Sequence, residues 1–113
     1  MMWPTLTDIR HRRVAARRRA ALAALREADA LLFASGGQIL VFGSLAEGGF
    51  DEDSDIDAAI CGLPTECDDQ IATKIDTLLR LRGFDCDIQP LRRFPDSLRK
   101  RIAANGCVPG ALG

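Results

Sequence analysis

Long apolar segments and tyrosine are both missing from this 113-residue sequence. A membrane-spanning helix needs roughly 20 consecutive apolar residues, whereas the longest candidate here, residues 20–25, is closed by Arg19 and Arg26. We therefore expect no membrane span, and a cytoplasmic location. Since there is no tyrosine, any hydroxyl on which the protein modified itself would belong to a serine or threonine. A chain of this length holds one hydrophobic core, so we expect a single domain over residues 1–113.

Side chains of the zinc-binding type are scarce. His11 is the only histidine, and the four cysteines, Cys61, Cys67, Cys86 and Cys107, form no C-x-x-C pair. This spacing argues against a zinc site, and in the absence of a secretory signal it also argues against a disulfide framework. We expect each cysteine to be a small buried hydrophobic residue.

Several ligand-binding motifs are also missing. Residues 37–44 carry no lysine, and the sequence has no G-x-G-x-x-G, which argues against P-loop ATPases and dinucleotide-binding folds. Residues 51–57 resemble the start of a calcium loop. The sixth position is Ile56 instead of glycine, however, and the twelfth is Gly62 instead of glutamate, so that interpretation fails.

Charge is unevenly distributed along the chain although its sum is close to zero. The 15 basic and 16 acidic residues give a formal net charge of −1, which excludes a uniformly basic nucleic-acid-binding protein. Residues 1–26 contain seven arginines and one acid, whereas residues 47–69 contain nine acids and no base. Because a dense acidic segment repels itself, we expect a bound cation to offset its charge.

Apolar periodicity and turn residues predict helices around one small sheet, in the order α-β-β-α-β-α. The expected elements are a helix over residues 8–34 capped by Thr5 or Thr7, strands over 38–42, 55–60 and 84–91, a helix from Pro64 to Gly83, and a helix from Pro95 to Gly106. The apolar face of the first helix comprises Leu22, Leu25, Ala28 and Leu32. In the last helix we expect Leu98 and Ile102 to face the core and Arg99, Lys100 and Arg101 to face solvent. We expect the tail to Gly113 to be loose.

Three aspartates on two predicted strands are the clearest candidates for chemistry. Strand alternation places Asp55 and Asp57 on one face, and Asp87 on the same kind of face of the next strand. A carboxylate directly opposite on a neighbouring strand would have its Cβ about 5 Å away. Three such carboxylates can hold two Mg²⁺ ions roughly 4 Å apart, the separation used for in-line phosphoryl displacement.

A Gly-Ser pair follows the first predicted strand, and ten residues separate it from the first of these acids. Gly43 lets the backbone approach a phosphate closely, and the Ser44 hydroxyl and amide can donate hydrogen bonds to phosphate oxygens. Without cations, three like charges on one sheet face would raise one another's pKa values, so a purely structural role for all three is physically unfavourable.

The G-S pair, the ten-residue spacing and the D-x-D within Ser54-Asp55-Ile56-Asp57 together resemble the minimal nucleotidyltransferases of the DNA polymerase beta superfamily. The resemblance covers residues 38–106 and implies an α/β (α+β) nucleotidyltransferase fold, a small mixed sheet flanked by helices, with residues 1–35 as a preceding long helix. It also implies site roles. Asp55 and Asp57 match the metal-binding pair, Asp87 rather than Asp85 matches the third carboxylate, and Gly43 and Ser44 match the nucleotide-phosphate motif.

The same resemblance implies transfer of AMP from ATP to a hydroxyl, with two Mg²⁺ ions and loss of pyrophosphate. Many short members are antitoxins that pair with HEPN-domain ribonuclease toxins, and some add AMP to a toxin tyrosine. Two alternatives stay open. The chain can neutralise a toxin by binding alone, or it can adenylylate a small molecule of the aminoglycoside type.

One departure from the family pattern concerns positive charge. Many relatives carry an arginine shortly after G-S, whereas this chain has Glu47, and residues 45–54 contain no base. Phosphate charge then has to be met by other residues or by a partner, or else activity is weak or lost. The other residues that we consider are Arg92, Arg93, Arg99 and Lys100. The N-terminal face formed by Arg10, Arg13 and Arg17 suits an acidic partner or DNA, of which DNA is the less favoured.

Overall fold

The first helix, α1, spans Leu6–Phe33 in the computed structural model, which describes residues 3–112. Thr5 caps it: the Thr5 hydroxyl accepts a hydrogen bond from the Asp8 backbone amide, and the Asp8 carboxylate accepts one from the Thr5 amide, at 3.1 and 3.2 Å. This capping box starts the helix two residues before the predicted position. The predicted apolar face is confirmed, since all four of its residues are buried.

Three strands form a mixed sheet in the order β1-β2-β3. β1 spans Gln38–Phe42, β2 spans Ile56–Cys61 and β3 spans Cys86–Pro90. β1 pairs antiparallel with β2, and β2 pairs parallel with β3. The predicted mixed sheet flanked by helices is confirmed. β2 has the predicted length but begins and ends one residue later, and β3 is shorter than predicted, so Asp55 and Asp85 lie immediately before β2 and β3 instead of within them.

Helices cover both faces of the sheet, because both faces carry apolar side chains. α1 and α3, which spans Asp68–Leu81, pack on one face with Ile39, Ile60 and Leu79 in the core. α4, which spans Asp96–Asn105, packs on the other face, where Ile102 meets Leu40. The face that carries the predicted site is therefore also partly a core face.

Two predicted segments need correction. Residues 64–67 form a turn, in which the Pro64 carbonyl accepts from the Cys67 and Asp68 amides, and α3 begins only afterwards because Cys67 has a non-helical backbone (φ −129°, ψ −8°). The expectation of a loose tail is wrong for residues 107–112. Cys107 exchanges two backbone hydrogen bonds with Val41, at 2.7 and 2.9 Å, and Pro109 is buried. Gly113 lies outside the described residues.

Burial of the cysteines was predicted correctly at one position only. Cys86 is buried, and burial is the main reason that the pKa of its thiol rises to about 12. Cys61, Cys67 and Cys107 are half-buried, because each lies at an element end where one side faces solvent. All four are free thiols.

The first half of α1 extends beyond the sheet. Most residues before Ala20 are exposed, among them Trp3 at 84% and Leu6 at 85%, and the molecule is 58 Å long. Arg17 is an exception to the predicted basic face, since its guanidinium lies 4.7 Å from the centre of the Phe84 ring and donates to the Gly83 carbonyl. No helix within residues 3–112 is both long enough and apolar enough to cross a bilayer.

Candidate active site

Two aspartates face each other across the parallel strands of the sheet. Asp57 on β2 is paired in register with Asp87 on β3, and on its other side Asp57 is paired with Phe42, the last residue of β1. Neighbouring strands lie about 4.8 Å apart, so residues in register on the same face have adjacent side chains. The predicted meeting of these two carboxylates therefore follows from the strand register.

The electrostatic environment of Asp57 disfavours its negative charge. Burial raises the pKa of Asp57, and the like charges of Asp87 and Asp55 raise it further. Asp57 is half-buried, while Asp87 is exposed and accepts a hydrogen bond from Gln89 at 2.8 Å. A cation placed between the two carboxylates would relieve this repulsion.

Gly43 lies directly against the Asp57 side chain. A Cβ at Gly43 would lie 2.5 Å from Asp57 Oδ2, and the backbone of Gly43 (φ 70°, ψ −153°) is in a region that only glycine adopts readily. Its carbonyl accepts hydrogen bonds from the amides of Ala46 and Glu47, which starts the one-turn helix α2, Ser44–Glu47. Glycine is thus required here both for the turn and for the close approach of the carboxylate.

A cavity of about 360 Å³ opens beside these residues, between the sheet and α4. One wall is apolar and includes Phe42 and Phe94, whose rings pack edge to face at 5.4 Å. The polar lining consists of Glu47, Asp57, Asp87, Arg101 and Asn105. The cavity therefore combines an apolar wall with carboxylates and a single positive charge.

The five predicted site residues do not all lie in this cavity. Gly43, Asp57 and Asp87 line it, whereas Ser44 is half-buried at the start of α2 and Asp55 is exposed just before β2. Asp55 still affects the site through its charge, which contributes to the raised pKa of Asp57. Within residues 3–112, no three His, Cys, Asp or Glu side chains are grouped closely enough to form a ready-made metal cluster.

Three of the four positive residues predicted to meet phosphate charge are already paired with acids. Arg92 makes two hydrogen bonds to the buried Asp68 carboxylate, at 2.7 and 2.8 Å, and these lower the pKa of Asp68. Arg93 binds Asp69. Arg99 binds Asp96. The fourth, Lys100, is exposed and does not line the cavity.

Arg101 is the functional candidate that the sequence analysis missed. It is exposed, as expected, but it also lines the cavity together with Leu98, Ile102 and Asn105. These four residues are spaced three and four apart, which places them on one face of α4. This spacing is visible in the sequence. If helical spacing had been applied to the polar residues as well as to the apolar ones, it would have placed Arg101 beside the core face.

A match to a protein family now adds to this geometry. The family model of the nucleotidyltransferase domain matches residues 22–108, which include the sheet, α4 and every residue that lines the cavity. The chain belongs to this family. Its general activity is therefore nucleotidyl transfer, with a nucleotide as substrate. The match also extends into α1, beyond the segment on which the sequence resemblance rested.

Two further comparisons give no additional relative for this nucleotidyltransferase: neither the curated proteins nor the solved structures contain a significant match.

The contact between Gly43 and Asp57 can be tested with two matched substitutions. We expect Gly48→Ala to lower the free energy of unfolding by about 1–3 kcal/mol, because Gly48 has a similar backbone conformation (φ 102°, ψ 166°) and nothing within 4 Å of the added Cβ. Gly43→Ala should cost more, since its Cβ also displaces the Asp57 carboxylate. Urea unfolding measures both. Equal losses would contradict a specific contact between Gly43 and Asp57.

Proposed function

We propose that this nucleotidyltransferase transfers AMP from ATP to a hydroxyl group, with Asp57 and Asp87 at the reaction centre. The observation that carries the proposal is the in-register pairing of these two carboxylates beside Gly43, in a cavity with an apolar wall. A nucleotide has both a flat apolar base and a charged phosphate chain. The cavity offers surfaces of both kinds.

The donor set fits a magnesium ion. Mg²⁺ prefers oxygen ligands and is usually held by one or two protein carboxylates together with substrate phosphates and water. Asp57 and Asp87 would supply such oxygens, with Asp55 as a third, and a closed three-residue cluster is not required for this mode of binding. When bound, the metal would neutralise phosphate charge and polarise the phosphorus that is attacked.

Each residue has a role in this proposal. Gly43 lets the Asp57 carboxylate lie close to the turn that begins α2, and Ser44 in that turn donates hydrogen bonds to the triphosphate. The acceptor hydroxyl loses its proton to Asp87 as its oxygen forms a bond to the α-phosphorus. The bond between that phosphorus and the bridging oxygen breaks, and pyrophosphate leaves with the bond electrons.

The acceptor in this proposal is a tyrosine of a HEPN-domain ribonuclease toxin, for which the chain acts as antitoxin. The support is the resemblance of the G-S and D-x-D pattern to minimal nucleotidyltransferases that pair with such toxins. The chain itself has no tyrosine, so a tyrosine acceptor has to belong to a partner. The extended first half of α1, with exposed Leu6 at its start and exposed Trp3 just before it, offers a surface for that partner.

A second candidate function is neutralisation of the toxin by binding alone. One observation favours it: Glu47 brings a further negative charge into the cavity, beside Asp57 and Asp87. This charge opposes nucleotide binding without affecting a protein interface on α1.

Label transfer tests the catalytic proposal. The purified protein is incubated with the toxin, Mg²⁺ and ATP labelled on its α-phosphate, and the label on the toxin is measured. We expect Asp57→Ala to reduce transfer by about 100-fold or more, because several kcal/mol of transition-state stabilisation depend on this carboxylate. Asp87→Ala should have an effect of similar size.

The matched control for Asp87 is Asp85→Ala. Asp85 is an exposed aspartate two residues earlier that does not line the cavity, so its loss should leave transfer within about twofold of wild type. Undiminished transfer by the Asp57 variant, or a larger loss for Asp85 than for Asp87, would refute the assignment.

Growth rescue separates the two candidate functions. Cells that express the toxin also express either the wild-type protein or the Asp55→Ala/Asp57→Ala double variant, at matched protein levels, and their growth is compared. The catalytic proposal predicts that the double variant fails to rescue, because both metal-binding carboxylates are gone. Full rescue by the double variant would contradict catalysis and support neutralisation by binding.

A further inference from the structure

The cavity holds more negative than positive charge before any nucleotide enters it. Three carboxylates, those of Glu47, Asp57 and Asp87, line it beside one guanidinium, that of Arg101. A nucleoside triphosphate brings several further negative charges. A divalent cation bound by the aspartates would offset part of this excess, but the loop that carries Glu47, residues 45–54, contains no positive charge.

Arg101 is available to meet that charge. It is exposed and forms no salt bridge with any residue in the described range 3–112, unlike Arg92, Arg93 and Arg99. Its guanidinium can donate two parallel hydrogen bonds to phosphate oxygens, and such charge-assisted bonds are roughly twice as strong as neutral ones.

The packing of α4 fixes where Arg101 lies relative to the other site residues. Its neighbour Ile102 is 1% exposed in the core under the helix. At the helix end there is no space for a side chain on Gly106, because an added Cβ would lie 2.6 Å from the Ile102 carbonyl oxygen and 3.1 Å from Leu40 Cβ. The next residue, Cys107, is hydrogen-bonded to Val41 on β1. β1 leads directly into Gly43, so the helix that carries Arg101 is held against the strand that ends at the site.

We propose that Arg101 binds the polyphosphate chain of the nucleotide and supplies the positive charge that residues 45–54 lack. This inference rests on the proposed function, since it assigns a substrate group to the same cavity. It differs from the roles of Asp55, Asp57 and Asp87, because Arg101 acts on the nucleotide without holding a metal.

Calorimetric binding to Arg101→Gln tests the proposal, with Lys100→Gln as the matched control. Lys100 is the adjacent exposed cation on the same helix and does not line the cavity. The ligands are ATP, inorganic tripolyphosphate and adenosine, the first two with Mg²⁺. We expect Arg101→Gln to weaken ATP and tripolyphosphate by about 10- to 100-fold, to flatten the salt dependence of both and to leave adenosine unchanged. Lys100→Gln should stay within about twofold of wild type.

Two results would overturn the assignment of Arg101 while leaving the proposed function intact. One is ATP binding by Arg101→Gln equal to that of wild type. The other is an equal loss of adenosine and tripolyphosphate, which would mean that Arg101 shapes the cavity as a whole. If the wild type itself binds no ATP in the presence of Mg²⁺, the proposed function fails, and the assignment of Arg101 fails with it.

A second variant tests whether charge is what Arg101 supplies. Glu47→Arg restores a positive residue to the loop, so it should recover ATP affinity in the Arg101→Gln background by about tenfold. Thermal melts of all variants show whether each one folds. The contradicting result is an equal loss: Arg101→Gln weakens ATP binding by the same factor in the Glu47 background and in the Glu47→Arg background. The two positions then do not serve the same phosphate chain, and the proposal is overturned.

Discussion

The pairing of β2 with β3 is the constraint on which the site depends. It places Asp57 opposite Asp87 on one sheet face. The backbone of Gly43, the residue after β1, lies against the Asp57 side chain. The negative charge of half-buried Asp57, next to the like charge of Asp87, opposes folding unless a ligand offsets it. In the proposed function, a divalent cation would offset this charge and allow the anionic nucleotide to bind beside the carboxylates.

The rest of the molecule holds that pairing in place. Parallel strands cannot be joined by a short turn, so α3 makes the connection and packs on the opposite face of the sheet from the cavity. The Arg92–Asp68 pair connects the start of α3 to the segment that follows β3. This pair lies at the end of the sheet opposite to Asp57 and Asp87. α4 then covers the cavity side, and the Cys107–Val41 bridge fastens the end of the chain to β1.

Much of this architecture was predictable because it depends on local patterns. Apolar alternation located the three strands to within one or two residues, and the spacing of Gly43-Ser44 and Asp55-x-Asp57 indicated the family that the domain match confirmed. The pairing of the strands, by contrast, depends on which strands meet in three dimensions. The sequence predicted one mixed sheet, but not which strand pair is antiparallel and which is parallel.

The errors arose where tertiary contacts override local signals. Three consecutive basic residues, 99–101, looked like one solvated patch, whereas Arg99 is half-buried and paired with Asp96, and Arg101, although exposed, also lines the cavity. Residues 107–112 carry no strong periodicity, yet β1 is an edge strand, and the backbone groups of its Val41 are free to bind Cys107. Arg92 and Arg93 looked available for phosphate because Asp68 and Asp69, their partners, are distant in sequence.

The central claim is that the paired carboxylates act on the nucleotide through a divalent cation. The most direct measurement is ATP affinity in Mg²⁺ and in EDTA, for wild type and for Asp87→Asn. The account predicts that wild type binds ATP much more tightly with Mg²⁺, since the bare carboxylates repel the triphosphate, and that Asp87→Asn loses most of this difference. An ATP affinity of wild type that is the same in Mg²⁺ and in EDTA would contradict the account.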